Sequence, residues 1–172
     1  HCIREMLKNQ TEYFYDFIEI VLARILEACH DESREVSQAS DAAAEQFSLR
    51  IDPQKTLRVL SPFILTAEGT TLQVSIKMLS RLVGRVSYGT LMGYIPQVLP
   101  GLFDAFKSPN ADIRKAVVFC LVDIYMVLGD DFTPYLSELN TSQLKLVTIY
   151  INRITKAREE REKAMRSGHD PR

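Results

Sequence analysis

Three stretches of this chain repeat one pattern: a short polar turn, then a helix-length segment whose apolar residues return every three or four positions. The last is the clearest. Ser108-Pro109-Asn110 leads into Asp112-Ile113-Arg114-Lys115-Ala116, and Ile113, Val117, Cys120, Leu121, Ile124 and Leu128 then fall on one side of a helix that Gly129 ends. Placing Val36, Leu72 and Ile113 in register, 36 and 41 residues apart, aligns small side chains three positions on (Ala39, Ser75, Ala116) and larger apolar ones eight further (Phe47, Val83, Ile124). The small residue lets two helices approach closely, and the larger one fills the next layer.

The segments ahead of these helices echo each other as well, Val59-Leu60-Ser61-Pro62-Phe63-Ile64 resembling Val98-Leu99-Pro100-Gly101-Leu102-Phe103. A helical hairpin of about 40 residues that cannot bury its apolar stripe alone is the unit of HEAT and armadillo arrays. The expected fold is therefore all-α, a stack of hairpins around one shared core. With 172 residues, 46 % of them apolar, the chain has material for such a core.

A net charge of −1 with 25 % charged residues argues against binding a phosphate backbone or a membrane surface, which calls for a local basic excess. No run of about 18 apolar residues is present, so membrane insertion is not expected. No signal peptide is visible, although a chain that begins at His1 reads as a fragment. Cys2, Cys29 and Cys120 form no CxxC pair and read as small buried hydrophobes in a reducing compartment. On that reading the sequons at Asn9 and Asn140 go unused.

Taken in order, residues 1–9 look like the end of a helix begun upstream, so the first repeat is expected to be truncated. A long helix should open near Thr11 and run to Cys29, followed by a turn over His30–Arg34 and a slim Ala-rich helix over Glu35–Leu49. Asp52 should cap a helix with Pro53 in its first turn, running to about Thr66 and bent at Pro62. Thr71–Arg85 follows as an inner helix, then a small-residue connection over Ser87–Gly93 and an outer helix over Tyr94–Phe106. Asn140-Thr141-Ser142-Gln143 resembles a capping box ahead of a last helix that should bury Leu144, Val147, Tyr150, Ile151 and Ile154. The array is expected to occupy residues 1–155, with a solvated, charged helical tail over 156–172.

The residues offer no catalytic constellation. Cys29 and His30 are adjacent, so on a helix they diverge by about 100° and cannot pair as nucleophile and base. His1, His30 and His169 are too scattered for a metal site, and Asp130-Asp131 reads as a charged turn after Gly129. Tyr13, Phe14, Tyr15 and Phe17 read as core with an exposed rim. The inner helices lack the basic and stacking positions of an RNA-reading array. No enzyme, cofactor or metal is expected.

What remains is surface. In stacked repeats the turns line one edge. Here that edge carries Asp31, Glu32, Arg34 and Glu35, then Glu68, then Lys107, Asp112, Arg114 and Lys115. The sign changes along it, which suits a protein partner better than a uniformly acidic polymer.

Asp112 through Val122, with Gly129-Asp130, Pro134, Leu136-Ser137, Lys145-Leu146 and Tyr150-Ile151, closely resembles the C-terminal domain of the CLASPs, the cytoplasmic linker-associated proteins of the Orbit/Mast family. Glu35-Val36, Ile51, Pro53, Arg58-Val59-Leu60 and Ile76-Lys77-Met78 fit the same pattern. The resemblance implies a right-handed α-α superhelix of HEAT repeats of the TOG type. It also implies a place at microtubule plus ends, spindle and kinetochore in the cytoplasm, with a Golgi or cortical pool. The partners it implies are CLIP-family plus-end proteins, the kinetochore kinesin centromere protein E, and Golgi or cortical adaptors. TOG domains that bind free tubulin use a Trp in the first turn, and this chain has none. Two readings follow: an adaptor domain that holds segments of partner proteins, or a tubulin-dimer grip along the turn edge. Arg34, Lys107, Arg114 and Lys115 are the candidate contacts. For Arg114 and Lys115 the competing role is structural, since an arginine at this place in HEAT repeats often ties neighbouring repeats together.

Overall fold

The structure, a computed structural model, describes residues 5–6 and 17–167. The described elements are α1 (Ile18–Ala28), α2 (Arg34–Arg50), α3 (Pro53–Thr66), α4 (Gly69–Val83), α5 (Tyr88–Ala105), α6 (Ala111–Leu128), a 3-10 stretch (Gly129–Glu138) and α7 (Thr141–Ser167). Of the predicted helix end over 1–9, only Glu5 and Met6 are described, and both are helical. The opening near Thr11 and the aromatics Tyr13–Tyr15 lie outside the described residues.

The helices pair as the register predicts: α1 with α2, α3 with α4, α5 with α6. The first helices of the pairs pack in sequence as one layer (α1, α3, α5) and the second helices as another (α2, α4, α6), with α7 and the 3-10 stretch against α6. This is an all-α HEAT array. Phe47, Val83 and Ile124 are fully buried between the layers, and Ser75 and Ala116 are buried at the small-residue position. Burying the larger three is worth about 1.5–3 kcal/mol each. The small position has a measurable counterpart in the outer layer. A Cβ on Gly101 of α5 would stand 2.3 Å from the carbonyl oxygen of Ile64 in α3, so only glycine permits this approach.

Polar side chains seal the joints by taking up helix-end carbonyls. At the end of α1, Ser40 donates to Ile25 O (2.5 Å), Ser37 to Cys29 O (3.0 Å) and, from the next hairpin, Thr71 to Leu26 O (3.2 Å). Arg85, just past α4, donates to Ser48 O and to Ile51 O (3.1 Å) at the end of α2. Ser75 is the exception: its buried hydroxyl has no partner.

The caps follow the sequence. Asp52 accepts from Lys55 N (2.8 Å) with Pro53 at the helix start, and Asn110 accepts from Asp112 N (2.8 Å). Gly129 ends α6 at φ +61 and ψ −139, a backbone conformation open to glycine. Asn140 and Gln143 form the reciprocal box, Gln143 N to Asn140 Oδ1 at 2.9 Å and Asn140 N to Gln143 Oε1 at 3.2 Å.

Two expectations need correction. Residues 88–93 are not a connection: Ser87 caps α5 by accepting from Thr90 N (3.2 Å), and buried Leu91 anchors the first turn while Gly89 and Gly93 face solvent. In α7, only Val147 and Ile151 of the five residues expected inside are buried. Leu144 is exposed, and Tyr150 and Ile154 are half-buried, because α7 packs chiefly on α6 at the end of the array.

Candidate docking surface

The three turns within the hairpins lie side by side. A Cβ at Gly69, in the second turn, would sit 3.5 Å from His30 Cε1 in the first. A cleft of about 450 Å³ separates the second turn from the third, lined by Glu68, Gly69 and Leu72 on one side and Asp104, Ser108 and Ile113 on the other. The edge therefore exists as a surface. Arg34 opens α2 there, exposed, beside exposed Asp31 and Glu35. Lys107 sits at the third turn and pairs with Asp104 at 3.4 Å, both largely in solvent, so the pair adds little to stability.

Arg114 and Lys115 are placed differently. Arg114 donates to the carbonyls of Ser108 (2.7 Å) and Pro109 (2.8 Å), clasping its own turn. The tie between neighbouring repeats, expected of an arginine at this place, is made by Arg85 instead. Arg114 and Lys115 also line a second concavity, between α6 and α7, and Lys107 and Arg34 do not.

That concavity has two lobes, of about 200 Å³ and 590 Å³, which share Lys115, Phe119 and Tyr150. Its floor is Val118 and Phe119 from α6 with Leu146, Tyr150 and Ile154 from α7. Phe119 and Tyr150 meet edge to face, centroids 5.4 Å apart at 74°. Arg153, Arg158 and Arg161 complete the rim, and no carboxylate is among the lining residues. Sequence reasoning missed this groove because it assigned Tyr150 and Ile154 to the core and the cations beyond them to a featureless tail. The available signal was Leu146, an apolar residue off the buried stripe of α7, which is 40 % exposed in the groove lining.

The groups considered for chemistry are engaged in structure. Cys29 and Cys120 are buried free thiols whose ionisation is pushed up, mainly by desolvation. Asp130 accepts from Tyr125 (3.1 Å) and Asp131 from Tyr88, which fastens the 3-10 stretch to α6 and α5. Asp123 of α6 accepts from Ser80 of α4. Burial raises its pKa, and the Ser80 bond and nearby Arg158 only partly offset this. Among the described residues no three His, Cys, Asp or Glu are grouped to hold a metal, and no helix is long and apolar enough to cross a membrane.

Residues 98–128, covering the C-terminal part of α5 and all of α6, match the HEAT repeat family. The chain is 44 % identical to a CLIP-associated protein of Arabidopsis thaliana over 91 % of its own length and 11 % of that protein's. It is 37 % identical to CLIP-associating protein 1-A of Xenopus laevis over 88 % of the chain and 10 % of the relative. Protein CLASP-2 of Caenorhabditis elegans is 24 % identical over 88 % of the chain and 15 % of the relative. The chain thus spans about a tenth of the length of the first two. With its hairpin stack matching the HEAT pattern and these identities extending along almost all of it, the chain belongs to the CLASP family, as a TOG-like HEAT-repeat domain.

Proposed function

We propose that this chain is a non-catalytic docking domain, corresponding to the C-terminal domain of a microtubule-associated CLASP, that recruits the protein of which it is part by holding segments of partner proteins. The observation that carries the reading is the 44 % identity to a protein named for association with CLIPs, held over 91 % of the chain. CLIP-family plus-end proteins are the first partners, followed by the kinetochore kinesin centromere protein E and Golgi or cortical adaptors. Their sites are the plus end, spindle and kinetochore, and the Golgi or cortex. The mixed charge of the turn edge and the lack of any Trp support docking over a tubulin grip. The side-by-side turns favour one second reading, direct binding of the tubulin dimer along that edge with Arg34, Lys107, Arg114 and Lys115 as contacts.

Gel filtration at low salt separates the two. The chain is expected to co-elute with a CLIP-family protein and to elute apart from tubulin. A stable tubulin complex, lost in a Lys107→Glu/Lys115→Glu variant, would overturn the proposal in favour of the tubulin grip.

A further inference from the structure

The groove between α6 and α7 combines two features that rarely coexist by accident on a surface: apolar side chains left uncovered, and charges of one sign around them. Phe119 of α6 and Leu146 of α7, both in the groove lining, are 37 % and 40 % exposed, whereas Val147 and Ile151 of α7 are buried. Among the described residues, Lys115, Arg153 and Arg161 take part in no ion pair. The chain as a whole has a net charge of −1, so this concentration of cations is local.

From this we infer that the groove binds an acidic amphipathic helix from a partner protein, its apolar stripe on Phe119, Leu146, Tyr150 and Ile154 and its carboxylates against Lys115, Arg153 and Arg161. The inference rests on the docking-domain reading and gives it a place and a partner chemistry. Length fits: from Leu146 to Arg161 the floor and rim follow α7 for about 22 Å, at about 1.5 Å per residue, room for four turns of a second helix. A helix laid in a groove binds through apolar residues at i, i+3, i+4 and i+7, and a rim of one sign selects flanks of the other.

Other occupants suit the surface less. Single-stranded nucleic acid needs aromatic faces open for stacking, and here the edge-to-face contact turns the rings of Phe119 and Tyr150 toward each other. A bilayer takes up a helix whose apolar face projects, whereas this floor is recessed between two helices.

The test uses the whole chain and defined probes, read by fluorescence anisotropy. The main probe is a labelled 18-residue helical peptide, about five turns long, with a Leu/Phe stripe flanked by Glu. Its controls are the same peptide with Lys for Glu, a labelled single-stranded oligonucleotide, and phosphatidylserine vesicles by co-sedimentation. The Glu peptide is expected to bind, to weaken as salt is raised, and to weaken at least tenfold in Lys115→Glu/Arg153→Glu. Lys145→Glu, on α7 outside the groove lining, should leave binding unchanged. No binding of the Glu peptide, equal binding of the Lys peptide, tighter binding of the oligonucleotide or vesicles, or indifference to the double variant would each overturn the inference. A second copy as occupant would appear as a dimer in light scattering that the double variant abolishes, and this too would overturn it. A CLIP-family complex that survives the double variant would sink the groove and leave the docking role standing.

Discussion

Helix α6 is finished in two ways. Toward α4 it is closed: its small-residue position, Ala116, and its layer residue, Ile124, are buried, and Asp123 is bonded to Ser80 across the joint. Toward α7 it is open: Phe119 and Tyr150 touch at the bottom of a groove ringed by Lys115 and the α7 arginines. A joint between repeats has a helix from each layer on both sides, so its apolar layer residues are buried. The last joint has a single helix against one layer, so apolar surface remains. Stability is concentrated in the first kind of joint and surface available for binding in the second.

The largest effect should come from emptying the closed side. Ile124→Ala removes a fully buried side chain and should cost about 2–5 kcal/mol in urea unfolding, while Leu146→Ala, 40 % exposed in the groove, should stay within about 0.5 kcal/mol. Similar costs at the two sites would erase the contrast. Next comes Gly101→Ala, whose new Cβ must push α5 away from the Ile64 carbonyl. An overpacking cost of about 1–3 kcal/mol is expected in the same measurement. No loss would mean that the outer layer is looser than its geometry.

Ser75→Ala should move stability the other way. It replaces a buried unpartnered hydroxyl by the alanine that Ala39 and Ala116 already supply in the other repeats, and a gain of up to about 1 kcal/mol is expected. A loss would reveal a hydrogen bond to Ser75. The smallest effect concerns pH. Asp123 has its pKa raised above the ordinary 3.8 by burial, so the folded state holds the proton more tightly than the unfolded chain. The resulting stabilisation is complete below 3.8 and is lost as pH rises through the folded value. Asp123→Asn, which still presents an acceptor to Ser80, should flatten that part of the stability profile. An unchanged slope would place the carboxylate in solvent.

Much of the array could be read from residues close in sequence. The register of Val36, Leu72 and Ile113, the caps at Asp52, Asn110 and Asn140, and the stop at Gly129 all rest on periodicity and on side chains that bond within a few positions. The start of α5 was hidden because Gly89, Thr90 and Gly93 imitate a loop when the buried anchor Leu91 is not in view. Arg85 looked ordinary, yet it reaches two carbonyls more than 30 residues back. The assignment of Arg114 and Lys115 to the turn edge was a matter of proximity in sequence. Arg114 does bond to Ser108 and Pro109 in its own turn, and the position of α7 sets it and Lys115 at the lip of the groove as well.

By itself the sequence determined that this chain is a stack of helical hairpins, where most of the described helices start and stop, and that its three turns share an edge. Those properties depend on helical period and local capping, which act over a few residues. Only the tertiary structure decided which surface stays open, because the groove joins cations at 114–115 to cations at 153–161. Their meeting is set by the packing of α7 on α6 through Val147 and Ile151, and no local pattern encodes it.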